Sequence, residues 1–182
     1  VRAALHGLWA RAQAGPFSWT TTGLLGEYQS PMLFSPVRAE IFIRADPARV
    51  FEVIMDVDRY PQWNRFTPRI TLRTGQVREG VEFELDCQMT PTQLLEGERE
   101  VILSLDPVAR ELCMGTSRTR GRPGIRSVRR QRCDAAPGGT RFVNTESFSG
   151  PLAPLVYLLY GRKLRRAFRG YCQALAVRAE SG

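Results

Sequence analysis

The carboxyl-terminal segment from Leu152 to about Ala179 constrains the fold more than any other part of the chain. Tyr157, Leu164, Phe168, Tyr171 and Leu175 recur at helical spacing on one face, with Arg162, Arg166 and Arg169 on the opposite one. This pattern predicts one long amphipathic helix. Its apolar side is rich in rings and needs a broad surface to cover it, which the preceding segments can supply. Arg38 to Ala45, Arg69 to Thr74, Val81 to Met89, Arg99 to Leu105, Glu111 to Gly115, Ile125 to Cys133 and Thr140 to Phe148 are each of strand length. Their connections carry Gly80, Pro91, Asp106-Pro107, Gly121 to Gly124 and Pro137-Gly138-Gly139, and most are short enough for hairpins. The expectation is an antiparallel meander with the helix lying across it.

Between the first two strands the pattern is helical. Asp46-Pro47 is a helix opening, because Asp caps free amides and Pro is tolerated at the first helical position. Val50, Phe51, Ile54 and Met55 then form an apolar stripe ending near Val57, and a second short turn holds Arg59 to Asn64. Residues 1–36 read as an accessory arm. Leu5, Leu8, Trp9 and Ala12 make a short amphipathic helix that stops at Gly15-Pro16, either packed on the domain or docking on a membrane surface or partner.

The rare residues exclude much chemistry. His6 is the single histidine, so a Ser-His-Asp triad, a Cys-His dyad or a zinc site with two histidines has nothing else to draw on. Cys87, Cys113, Cys133 and Cys172 stand far apart with no C-x-x-C pair, which suits free thiols in a reducing compartment. No glycine-rich phosphate loop is present. The sequence therefore implies neither a metal nor a cofactor. With 182 residues the chain can bury a sufficient core without staples. It shows no apolar run long enough to span a bilayer and no signal-peptide pattern, so a cytoplasmic location is the expectation.

A strand, two short helices, six more strands and a long last helix is the order of the helix-grip fold. Three stretches carry a likeness beyond that order: Ile43 to Asn64 (I-R-A-D-P-A-R-V-F-E-V-I-M-D-V-D-R-Y-P-Q-W-N), Gly138 to Phe142 (G-G-T-R-F), and Glu146 to Leu155 (E-S-F-S-G-P-L-A-P-L). Across about residues 37 to 180 the chain resembles the START / Bet v 1-like (SRPBCC) superfamily, especially its bacterial polyketide cyclase/dehydrase-like members. The resemblance implies an α+β domain at 37–182, a curved seven-stranded antiparallel sheet with two short helices and one long carboxyl-terminal helix enclosing a hydrophobic cavity. It says less about chemistry, because such folds serve as carriers, binders and enzymes.

Strand alternation assigns faces to that cavity. Val81, Phe83, Leu85, Cys87 and Met89 share one side of their strand, and Val101, Leu103, Leu105, Leu112 and Met114 are further inward candidates. Phe142, Asn144, Glu146 and Phe148 share a face of the last strand, so two polar groups stand among rings. A carboxylate there needs a partner, and Arg130 or Arg132 on the preceding strand is the candidate. Asn144 and Glu146 are either a satisfied structural pair, the groups that orient an apolar ligand, or an acid/base pair. Trp63 is a packing residue at the cavity mouth or a ligand platform. Tyr157, Leu164, Phe168 and Tyr171 complete the lining from the helix, with Tyr157, Tyr160 and Tyr171 offering phenols.

The charge asks a separate question. There are 25 arginines and one lysine, Lys163, against 18 acidic residues, a net +8. One cluster comprises Arg118, Arg120, Arg122, Arg126, Arg129, Arg130 and Arg132, and another Arg162, Lys163, Arg165, Arg166 and Arg169. Between Phe83 and Phe142 there is no aromatic residue to stack on a base, which argues against nucleic acid as a partner. The leading expectation is binding or carriage of a hydrophobic small molecule such as a lipid, quinone or polyketide. The alternatives are a polyketide cyclase/aromatase-like enzyme, and an adaptor whose basic face docks on an anionic membrane or acidic protein.

Overall fold

A computed structural model describes residues 35–117, 119 and 121–181. The expected arm lies outside the described residues except for Ser35 and Pro36, as do His6, Arg118 and Arg120. The elements are β1 (Val37–Ile43), α1 (Pro47–Met55), a 3-10 turn (Val57–Arg59), α2 (Tyr60–Trp63), β2 (Arg69–Leu72), β3 (Glu82–Thr90), β4 (Gln93–Asp106), β5 (Glu111–Thr116), β6 (Arg126–Ala136), β7 (Gly139–Ser149) and α3 (Ala153–Glu180). The seven strands form one antiparallel sheet in the order β1-β7-β6-β5-β4-β3-β2. This is the helix-grip fold.

Strands β1 and β2 are successive in sequence yet lie at opposite edges, so α1, the 3-10 turn and α2 must cross the open side of the sheet. Asp46 starts that crossing by accepting a hydrogen bond from Ala48 N at 2.8 Å, with Pro47 at the first helical position. Helix α3 lies across the concave face and buries Leu164, Phe168, Tyr171, Cys172 and Leu175. Each side chain of this kind stabilises the fold by about 1.5–3 kcal/mol when fully buried. Glu180 fixes the far end of the helix by accepting from Arg44 N at 2.8 Å.

Strand β4 departs from expectation. It begins at Gln93 rather than Arg99, because Thr90 and Gln93 pair directly across the Pro91-Thr92 connection. Its inward face also differs. Val101 pairs with Glu82 and Glu100 with Phe83, so Glu98, Glu100 and Ile102 share the inner face while Val101 and Leu103 point outward. Ile102 is buried and Leu103 is 41% exposed. An irregularity between Ile102 and Ser104 then shifts the alternation, returning Leu105 inward opposite Leu112. On the outer face Leu103 lies over Gly115. A Cβ at that glycine would fall 2.9 Å from Leu103 Cδ1 and 2.3 Å from Ser127 O, so a larger residue cannot enter without displacing backbone.

Candidate functional site

The inner face of β6 carries Arg129, Gln131 and Cys133. Arg129 is only 5% exposed, although it comes from the most basic stretch of the chain. Its Nε donates to Asn144 Oδ1 at 2.8 Å. With the Gln131 amide oriented to present its oxygen, that oxygen accepts from Arg129 Nη2 at 3.0 Å and from the Tyr171 hydroxyl at 3.3 Å. The guanidinium carbon lies 4.7 Å from the Phe168 ring centre, 4.8 Å from that of Tyr171 and 5.3 Å from that of Phe66. Neutral amides and ring faces therefore hold the cation. Among the described residues no carboxylate stands within 4 Å of it.

Carboxylates surround this cation at longer range. Glu146 is opposite Arg129 in the β6–β7 ladder and is buried, while Glu100 and Glu98 reach the same inner face from β4. Burial raises Glu146 above the usual carboxylate range, and Arg129 only partly offsets it. Glu100 is raised by burial and then by the charge of Glu146, with Arg129 again opposing. Glu98 is also raised by burial, although Arg122 pairs with it at the rim. Cys87 on β3 shares the surroundings, and its thiol is pushed well up by burial and by Glu100 and Glu146. The inner face thus combines one permanent cation with carboxyl groups that readily hold protons.

Rings close the site from the helices. Trp63 packs edge-on against Tyr60 at 5.1 Å and lies 5.7 Å from Tyr171. Burial raises the Tyr60 phenol to about 12, and its hydroxyl donates to Ile54 O at 2.7 Å. Beside Arg129 a cavity of about 20 Å³ is lined by Tyr60, Thr67, Phe83, Leu85, Ile102 and Met114 among others. It has room for about one water molecule. Among the described residues, two buried amide nitrogens, Asn64 Nδ2 and Asn144 Nδ2, have no hydrogen-bond partner.

A family described as polyketide cyclase / dehydrase and lipid transport matches residues 36–180. The chain belongs to that family. It is thereby a member of the SRPBCC superfamily. No curated protein matches the sequence. Solved structures share the fold at low identity, among them a protein from Thermus thermophilus (15% identity, TM-score 0.66, covering 81% of this chain and 98% of that one). The Zhui aromatase/cyclase of Streptomyces sp. R1128 is similar at 18% identity and TM-score 0.61 over 80% of this chain and 93% of its own. Norcoclaurine synthase from Thalictrum flavum is similar at 12% identity and TM-score 0.61, over 81% and 94% of the two chains.

Within this member of the cyclase/dehydrase family, Phe83, Leu85 and Met114 of the expected lining meet at the small cavity. Phe142, Leu164, Phe168 and Tyr171 are packed core, with the rings of Phe168 and Tyr171 against Arg129, and Asn144 and Glu146 lie on the same inner face. Met89 is buried in the core, whereas Trp63, Phe148 and Tyr157 pack partly covered around it. Tyr157 Oη accepts from Phe148 N at 3.0 Å. Val101 and Leu103 are on the other side of the sheet. The expected partners of Glu146 also change: Arg130 and Arg132 point outward to Glu111 and Asp134, because the ladder sets Arg129 opposite Glu146. Cys133 was the available signal, since stepping back two and four residues from one buried thiol places Gln131 and Arg129 inside.

Proposed function

We propose that the domain binds and carries a hydrophobic small molecule bearing one polar oxygen end, with Arg129 as its anchor. One observation carries this reading: a buried guanidinium at the cavity, held by neutral amides and rings and without an ion-pair partner among the described residues. Such a group offers a charge-assisted donor to a carbonyl, enolate or carboxylate oxygen, while Phe83, Leu85 and Ile102 supply apolar surface. Larger ligands require the rings around the cavity to move apart, since its volume in this structure admits only about one water. The four buried free thiols accord with a reducing, cytoplasmic setting.

A series of alkyl methyl ketones tests the anchor. Affinity is expected to rise about fourfold per added methylene, and Arg129→Met to weaken it about tenfold or more at every length. Absence of affinity at all lengths overturns the reading. Glu100 and Glu146 favour a second one, a cyclase-like enzyme, because carboxyl groups that hold protons near neutrality beside a cation suit enolate chemistry. Under that reading Glu146→Gln retains ligand and loses turnover. Under the carrier reading it alters binding alone.

A further inference from the structure

Several arginines of the sheet and its loops are matched by carboxylates, whereas others, Arg129 among them, have no ion pair among the described residues. Arg69 pairs with Asp86, Arg122 with Glu98, Arg130 with Glu111 and Arg141 with Glu40. The first half of α3 is different. No Asp or Glu occurs between Glu146 and Glu180, and Arg162, Arg165, Arg166 and Arg169 are exposed with no ion-pair partner among the described residues. On the same outward arc, one turn nearer the start of the helix, Leu158 is 80% exposed and Leu159 43%. Helical spacing aligns Leu158 with Arg162 and Arg162 with Arg166.

We propose that this half of α3 docks the domain on an anionic lipid surface. The leucines enter the boundary between headgroups and acyl chains, and the arginines remain at the phosphates. Charge complementarity selects the partner: four unmatched cations spread over two turns suit a field of mobile anionic headgroups, and adjacent bare leucines suit the apolar layer beneath. Among the described residues no helix is long and apolar enough to cross a membrane, so the contact is peripheral. The inference is independent of the ligand anchored at Arg129.

Sedimentation of the full chain with vesicles provides the test, using phosphatidylcholine alone and phosphatidylcholine with about one-third phosphatidylglycerol. Binding to the anionic vesicles is expected to exceed binding to the neutral ones about tenfold or more, and to fall as salt rises. Leu158→Ser with Leu159→Ser should lower the partition coefficient about tenfold. Arg162→Gln with Arg166→Gln should lower it about twenty-five-fold, near fivefold for each cation removed. All four positions are exposed, so circular dichroism should be unchanged. Equal binding to both vesicles, no binding to either at low salt, or binding untouched by both double variants overturns the proposal. So does capture of polyglutamate in the absence of vesicle binding, which reassigns the face to an acidic macromolecule.

Discussion

Arg129→Ala is expected to lower stability by about 3–5 kcal/mol, as measured by urea unfolding. The substitution opens a cavity among Phe66, Phe168 and Tyr171 and removes the donors that satisfy the Asn144 and Gln131 oxygens. It also removes the cation that opposes the raised values of Glu146 and Glu100, so its cost should grow as pH rises. Arg129→Met separates these contributions. The thioether refills most of the volume and avoids burying a charge, leaving a loss of about 1–2 kcal/mol from the orphaned amides. Ligand affinity should fall in both variants. A methionine variant that keeps wild-type affinity would remove Arg129 from the site.

Glu100→Gln combined with Glu146→Gln is expected to stabilise the protein at alkaline pH by about 1–3 kcal/mol and to leave it nearly unchanged in acid. Both carboxyls have folded values above their ordinary 4.5, so the folded state holds more protons than the unfolded chain in the interval between. Their contribution is therefore fully favourable below the ordinary value and is lost as pH rises through the raised one. Glu40 acts in the opposite sense: Arg141 and Arg38 hold it down at about 2, and its contribution is lost only as pH falls toward that value. Thermal melts at about pH 5 and about pH 8.5 should show wild-type stability dropping across this span and the double variant holding nearly level. An equal drop in both proteins would place these carboxylates outside the account.

Much of the fold was legible because its signals are local. The rings of α3 repeat at 3.6 residues, Asp46-Pro47 caps α1, and glycine and proline mark the strand ends, so the order of elements follows from the chain. Strand β4 was less legible, since apolar letters alternate in Val101, Leu103 and Leu105 as though facing inward. Pairing with β3 and the irregularity before Ser104 decide its faces, and both are long-range properties. Arg129 was hidden for a related reason. Among so many neighbouring arginines only the two-residue spacing from Cys133 and the ladder partner Glu146 mark the buried one, and the general preference of arginine for the surface points the wrong way. The polar groups Asn144 and Glu146 were legible as inward-facing, whereas the cation that organises them was not.

The claim that this fold holds an apolar ligand at Arg129 is tested most directly by native mass spectrometry of the full chain purified from its own cells. A non-covalent adduct is expected on the wild-type protein, lost on denaturation and absent from Arg129→Met. A wild-type protein that carries no adduct and takes up no ketone of any chain length would contradict the claim.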